Sequence, residues 1–316
     1  ILIASYKYDG GQFDEGRVFI YHGSPDGLIS TPALFLEINV ASVYLGRSLS
    51  SAGDVNNDGY DDIIVSRSPG VKIYYGSESG ILPLSGVSLF FPGSSSLVGD
   101  ELRPAGDING DGFDDIIVGD YAYENDINNE GAVYVFFGSI SGINTTPEII
   151  LEGNSEYAWF GHSMTAGDLN GDSFSDITIG AYTWDNAGPT YHDEGRVFVY
   201  YGSSDGLTLE PNLILYNFQI NALFGENVTS IGDINYDGFD DIAISATTYD
   251  YVLENLGRVN IYLGSSSGLI VEPYITLYGN QMDANFGSSI SNKGDYNGDN
   301  YDDFIIGSYQ YDGGMT

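Results

Sequence analysis

The sequence contains no cysteine, few basic residues and no long apolar run. Without cysteine the fold has no disulfide framework, no thiolate metal site and no cysteine nucleophile. The sequence has nine lysines and arginines but 45 aspartates and glutamates, which gives a formal net charge of −36. This imbalance argues against nucleic acid and against an anionic membrane surface as partners. No apolar run approaches the roughly 18 residues that a membrane-spanning helix requires.

What the sequence does contain is a nine-residue acidic segment that recurs five times. Each copy reads Asp-x-Asn-x-Asp at positions 1 to 5, has an aromatic residue at position 7 and ends on Asp at position 9. The copies, called loops 1 to 5 here, are residues 54–62, 107–115, 168–176, 233–241 and 295–303. A second marker, Gly-Ser, keeps step with them at Gly23, Gly76, Gly138, Gly202 and Gly264. Two markers in step indicate a true structural repeat.

Each repeat has the pattern of four short strands. The first leads into the acidic loop, an apolar second strand such as Ile116–Val118 follows, the third ends at the Gly-Ser marker, and a weaker fourth closes the unit. Four strands in about 60 residues predict an all-β propeller, whereas the coils of the alternative, a linear β-solenoid, are normally shorter. The predicted parts are a half-blade at 1–44, complete blades at 45–97, 98–159, 160–223 and 224–285, and a half-blade at 286–316.

The loops have the donor pattern of a calcium site. Carboxylate or amide oxygens at positions 1, 3, 5 and 9 and a main-chain carbonyl at position 7 suit Ca²⁺ better than Mg²⁺. An EF-hand needs Glu at position 12, where this chain has apolar residues, namely Val65, Val118, Ile179, Ile244 and Ile306. Solvated Asx turns are the alternative without metal. Five loops with Asp always at position 9 favour metal, because three clustered carboxylates repel one another without a cation.

The sequence therefore predicts up to five bound Ca²⁺ ions and no other cofactor. The predicted ligands are Asp54, Asn56, Asp58, Tyr60, Asp62, Asp107, Asn109, Asp111, Phe113, Asp115, Asp168, Asn170, Asp172, Phe174, Asp176, Asp233, Asn235, Asp237, Phe239, Asp241, Asp295, Asn297, Asp299, Tyr301 and Asp303. Position 6 favours a positive φ, which Gly adopts freely and Asn tolerates. Loop 5 has Asn300 there and loop 3 has Ser173, so we expect the third site to be the weakest.

These residues resemble a known family. The pair Phe160-Gly161, the triplet Ala166-Gly167-Asp168, the Asp-x-Asn-x-Asp-Gly loops and the strand end Ile179–Tyr182 are similar to FG-GAP repeats. Such repeats build the β-propeller of integrin α subunits and occur in many extracellular proteins. The resemblance covers essentially the whole chain and implies a propeller with calcium in its blade loops. It also implies seven blades as the usual number, whereas this sequence has five loops.

Other residue groups have simpler interpretations. The stretch Gly264–Gly268 matches the Gly-x-Ser-x-Gly elbow of hydrolases. The same position in the other repeats holds Pro25, Glu78, Ile140 and Ser204, so the glycines indicate a hairpin turn. Acidic residues recur before the third strand, which we interpret as solvated surface: Glu15, Glu130 and Glu194. Arginines that begin this strand are expected to form ion pairs: Arg17, Arg196 and Arg258. Its aromatic residues are expected in the core between blades, as at Tyr74, Phe136 and Tyr200.

Together these observations predict a non-catalytic, calcium-binding propeller outside the cell or at its surface. Its role would be adhesion or that of a structural or filament unit, and its partner a protein, a glycan or further copies of itself. The alternative is an accessory propeller of a secreted lyase or phospholipase-like enzyme whose catalytic part lies elsewhere. Residues 3–11 nearly duplicate residues 306–314. We therefore expect a piece of a longer propeller, or ends completed by a neighbouring chain.

Overall fold

The computed structural model describes residues 1–185, 192–291 and 293–313 of the chain. These residues form strands and turns, and no helix long and apolar enough to cross a membrane occurs among them. Gly314, the last residue of the duplicated end segment, lies outside the described residues. The fold is all-β, as the sequence predicts.

The chain begins with a three-stranded antiparallel sheet, followed by a short hairpin within the same repeat. The strands are β1 (Leu2–Ser5), β2 (Arg17–Ile20), β3 (Gly23–Ser24), β4 (Gly27–Leu28) and β5 (Leu34–Leu36). The sheet order is β1-β2-β5, and β3 pairs with β4.

Four sheets of four antiparallel strands follow, each in simple sequence order. The first comprises β6 (Leu49–Gly53), β7 (Asp62–Ser66), β8 (Val71–Tyr74) and β9 (Val87–Ser88), and the second β10 (Glu101–Gly106), β11 (Asp115–Asp120), β12 (Ala132–Phe136) and β13 (Ile149–Glu152). The third comprises β14 (Ser163–Gly167), β15 (Asp176–Ala181), β16 (Arg196–Tyr200) and β17 (Leu213–Tyr216), and the fourth β18 (Phe224–Gly232), β19 (Asp241–Ala246), β20 (Arg258–Tyr262) and β21 (Ile275–Tyr278). A last pair is β22 (Phe286–Ile290) with β23 (Ile306–Ser308).

The sheets pack face to face in chain order around a common axis. The first strands of consecutive sheets, β6, β10, β14, β18 and β22, contact one another in that order. Each hydrophobic cluster lies between two neighbouring sheets. Ile64 and Ile73 of one sheet, for example, share a cluster with Leu102 and Phe136 of the next. This arrangement of radial four-stranded sheets is that of a β-propeller.

Burial explains the strand patterns. The second strands β7, β11, β15 and β19 are buried along their whole length, because each lies between two neighbouring sheets. A strand buried on both faces is a continuous apolar run rather than an alternating one. The third-strand aromatics Tyr74, Phe136 and Tyr200 are also buried, which confirms their predicted place in the core.

Candidate metal centres

The five acidic loops all connect the first strand of a sheet to the second. In loop 2, β10 ends at Gly106, and β11 begins at Asp115, which is position 9. Loops 1, 3 and 4 have the same frame, and loop 5 ends at a bridge between Gly294 and Asp303. Because every loop follows the same strand, all five lie at the same end of their sheets.

Within each loop, side-chain oxygens from positions 1 and 3 converge on one backbone N–H. In loop 2 the amide of Asp111 donates to Oδ1 of Asp107 at 3.1 Å and to Oδ1 of Asn109 at 3.0 Å. The same shared amide occurs at Asp58, Asp172, Asp237 and Asp299. The loop backbone therefore already directs two predicted ligand oxygens to one point.

Further backbone donors complete this loop conformation. The second oxygen of Asp107 accepts the amide of Gly112 at position 6, at 2.8 Å, and Asp111 accepts the amide of Phe113 at 3.1 Å. Both bonds recur in the other four loops. These are the bonds of an Asx turn, so the loop is folded by its own amides as well as being suited to a cation.

Positive φ angles occur at two positions of each loop. Position 6 has φ between 69° and 92° in all five loops, including Ser173 and Asn300, which confirms the conformational part of the sequence argument. Position 4 is also left-handed, which the repeated sequence pattern does not predict. Two of its five residues are not glycine, namely Asn57 at 52° and Tyr236 at 60°. A residue with a Cβ is strained in this region, Asn less than Tyr.

The aspartate at position 9 is buried in loops 1 to 4, and in all five loops it accepts backbone hydrogen bonds. Asp115 accepts the amide of Ile108 in its own loop at 2.8 Å and the amide of Gly138, the Gly-Ser marker, at 2.9 Å. Asp62, Asp176 and Asp241 make the same two bonds. Asp303 accepts the amide of Tyr296 at 2.9 Å. Because the aspartate at position 9 bonds to the Gly-Ser marker, the acidic segment and the marker recur at similar spacings. The bonds also give position 9 a structural role besides the predicted metal binding.

Burial raises the pKa of the aspartates at position 9 in loops 1 to 4. Desolvation raises the pKa of Asp62 to about 6 and the pKa of Asp115, Asp176 and Asp241 to about 7, against an ordinary value of 3.8. The two backbone hydrogen bonds oppose this rise, and the carboxylates at positions 5 and 1 add to it. A buried carboxylate facing two others is therefore electrostatically unfavourable unless a cation neutralises the group.

A cation would have to draw the carboxylates of one loop together. Within the described ranges, no group of three or more His, Cys, Asp or Glu side chains is already gathered as a metal site. The residue types still fit Ca²⁺, because each carboxylate oxygen has two lone pairs and the amides occupy only some of them. Positions 1, 3, 5 and 9 would supply side-chain oxygens, and position 7 its main-chain carbonyl.

The other residue groups have structural roles. The hydroxyl of Ser265 donates to the carbonyl of Gly268, and Ser77, Ser139 and Ser203 repeat this bond, so the Gly-x-Ser-x-Gly match lies in a recurrent turn. The interpretation of the acids before the third strand as solvated surface is wrong. All three of these acids are buried, namely Glu15, Glu130 and Glu194. The carboxylate of Glu15 accepts the amides of Gly10 and Gly11, and that of Glu130 accepts the amides of Asn125 and Asn154.

The third-strand arginines divide into two groups. Arg17 forms the expected ion pair, with Glu37, and its guanidinium also lies 3.8 Å from the ring centre of Tyr8. Arg196 lies 4.5 Å over Trp184, and Arg258 lies 3.8 Å over Tyr249. These cation–π contacts pack the loop before the third strand onto the sheet.

Comparison with known proteins agrees with this architecture. The FG-GAP repeat family model matches residues 160–200, and the FG-GAP-like repeat model matches residues 54–118 and 107–179. These matches identify FG-GAP repeats within residues 54–200, and the fold is a β-propeller.

Curated relatives include integrin α subunits. The chain is 34% identical to integrin alpha-3 of Cricetulus griseus over 188 residues, which cover 56% of this chain and 17% of that protein. It is 35% identical to human integrin alpha-6 over 186 residues, covering 57% and 15%. It is 37% identical to integrin alpha-4 of Xenopus laevis over 159 residues, covering 49% and 15%. The chain thus spans less than a fifth of these relatives.

Among solved structures, the exotype rhamnogalacturonan lyase YesX overlaps 71% of this chain and 40% of its own, with 14% identity and a TM-score of 0.38.

Proposed function

We propose that this chain is a non-catalytic, calcium-stabilised propeller that acts at the cell surface or outside the cell, in adhesion or as a structural unit. The observation that carries the proposal is the buried aspartate at position 9, which faces two further carboxylates in the same loop in four of the blades. Such a group is stable at neutral pH when a dication offsets its charge. The similarity to integrin α subunits supports the exterior location.

The affinity range of such sites also supports an exterior location. Extracellular calcium modules bind with dissociation constants of about 10⁻⁴–10⁻³ M, close to the roughly millimolar calcium outside cells. At that concentration each site would add about 0.4–1.4 kcal/mol to the free energy of unfolding, or several kcal/mol over five sites. At submicromolar calcium the same loops would stay empty and self-repelling.

The surface charge restricts the partner. The chain carries a formal charge of −36, so a phosphate backbone is repelled. A protein or glycan surface, or another copy of the chain in a filament, is compatible with that charge when calcium occupies the loops.

Calorimetry with and without calcium tests the proposal. The unfolding temperature of the full chain in EDTA should lie many degrees below that in about 2 mM Ca²⁺, which is roughly twice the extracellular level. The reason is that the ion binds only the folded loops. The same concentration of Mg²⁺ is the control and should shift the curve far less, since Mg²⁺ retains its water ligands. Coincident curves in EDTA and Ca²⁺ would overturn the calcium assignment.

A further inference from the structure

The aspartate at position 8 contacts the loop of the preceding blade rather than its own. Oδ2 of Asp114, in loop 2, accepts the backbone amide of Asp54, position 1 of loop 1, at 2.8 Å. Asp240 accepts the amide of Asp168 at 3.0 Å in the same way, and Asp302 accepts the amide of Asp233 at 3.0 Å. Each bond joins residues 60 to 72 positions apart in sequence.

The glycine before each loop permits this contact. Gly53 has a φ of 75°, and a Cβ atom built on it would lie 2.2 Å from Oδ2 of Asp114. Gly232 has the corresponding relation to Asp302, at 2.1 Å. At these two junctions glycine precedes the loop because a neighbouring carboxylate lies against the chain at that point.

One junction lacks the carboxylate. Position 8 of loop 3 is Ser175, whose Oγ lies over Gly106 in the place that Asp114 takes over Gly53. The backbone contact is kept, since the amide of Ser175 donates to the carbonyl of Asp107 at 2.9 Å. The two blades therefore have the usual spacing, but loop 2 receives no charge from its neighbour at this position.

Asp61 is an internal control for the same residue type. It holds position 8 of loop 1 and is exposed, whereas Asp114, Asp240 and Asp302 are half-buried between blades. Among the hydrogen bonds of the described residues, none is accepted by its carboxylate.

We propose that Asp114, Asp240 and Asp302 are positioning residues for the cation site of the preceding blade. Each fixes the backbone of position 1, whose carboxylate is a predicted ligand, and adds a negative charge beside it. Calcium affinity is then shared across blade junctions, with loops 1, 3 and 4 assisted by their neighbours and loop 2 unassisted. This inference rests on the proposed calcium function.

The test compares Asp114→Ala with Asp61→Ala in the full chain. Backbone amide signals of each loop are followed by NMR during Ca²⁺ titration, and amide exchange is measured in EDTA. Asp114→Ala should weaken calcium affinity of loop 1 by roughly 10-fold, as loss of an outer partner of a metal ligand does. It should also speed exchange of the Asp54 amide in EDTA. Asp61→Ala should leave exchange of the Asp54 amide unchanged and weaken calcium affinity of loop 1 far less than Asp114→Ala does.

Two further variants separate position from charge. Asp114→Asn keeps an acceptor oxygen, so exchange at Asp54 should stay slow while calcium affinity falls part of the way. Ser175→Asp supplies the missing carboxylate and should both protect the Asp107 amide and strengthen calcium binding at loop 2.

The outcomes distinguish this inference from the proposed function. If the unmodified chain binds no calcium in the titration, the proposed function fails and the positioning role fails with it. If calcium binds but Asp114→Ala behaves as Asp61→Ala does, the positioning role alone is overturned.

Discussion

Loops 2 and 3 differ in two ways that oppose each other. Loop 2 has glycine at both left-handed positions, Gly110 and Gly112, but meets Ser175 of the next blade. Loop 3 has Ser173 at a φ of 72°, but receives the carboxylate of Asp240 at its first amide. Loop 2 therefore has the less strained backbone, whereas loop 3 has the additional carboxylate from the next blade. With the proposed positioning role, the calcium affinity of a site depends on residues from two blades and not only on the nine residues of its own loop.

The same comparison revises the expected order of the sites. From the sequence, loop 3 should be weakest because of Ser173. The contribution of Asp240 acts in the opposite direction, and Tyr236 makes position 4 of loop 4 a strained residue. The ranking stays a prediction, and it now has three separable causes.

The largest effect should follow from removing the feature that loops 2 and 3 share. Asp115→Ala and Asp176→Ala each leave two backbone amides without their acceptor in a buried position. We expect a loss of roughly 2–4 kcal/mol in the free energy of unfolding, even in EDTA. Urea unfolding in EDTA measures it.

Position 5 provides the control for this prediction. Asp172→Ala, at an exposed position of loop 3, should cost little in EDTA and show its effect only with calcium present. A stability of Asp115→Ala within about 0.5 kcal/mol of the unmodified chain would show that position 9 has no such structural role.

The next effect is on pH dependence. Burial raises the pKa of Asp115 and Asp176 to about 7, so the folded chain binds these protons more tightly than the unfolded chain. Their contribution to stability is present below about pH 4 and is lost as pH rises through about 7. The melting temperature in EDTA should therefore fall across this range, and saturating Ca²⁺ should remove the fall.

Asp176→Asn is the matched variant, because it removes one of the titrating groups and should make the decline in EDTA shallower. A melting temperature in EDTA that rises from pH 5 to pH 7, and does so equally in this variant, would contradict the assigned pKa shifts.

The smallest effect should come from exchanging residues at position 6. Ser173→Gly removes a side chain from a left-handed residue and should stabilise loop 3 by about 1 kcal/mol, and Gly112→Ser should weaken loop 2 by a similar amount. Calcium-dependent unfolding of both variants measures the change. Equal stabilities for all three chains would show that φ at position 6 does not govern these sites.

The sequence predicts the repeated elements well because their signals are local. The apolar second strands, the aromatic third strands and the positive φ at position 6 each follow from a few adjacent residues. The burial of the acids before the third strand is predicted wrongly. A polar local composition does not reveal that the carboxylate of Glu130 is buried and accepts two backbone amides.

The contacts between loops lie beyond sequence reasoning for a different reason. Asp114 and Asp54 are 60 residues apart, and nothing local to either residue indicates the contact. The only sequence feature that relates to this contact is the joint occurrence of Gly at the end of the first strand and Asp at position 8. The left-handed Tyr236 gives no signal at all, because tyrosine favours strands.

The central claim is that the five loops hold calcium through positions 1, 3, 5, 7 and 9. Crystals of the full chain grown with Ca²⁺ and measured at a long X-ray wavelength would test it most directly. We expect anomalous density within the loops, next to oxygens of residues such as Asp107, Asn109 and Asp115. Loops without such density at saturating calcium, with the ions elsewhere or absent, would contradict it.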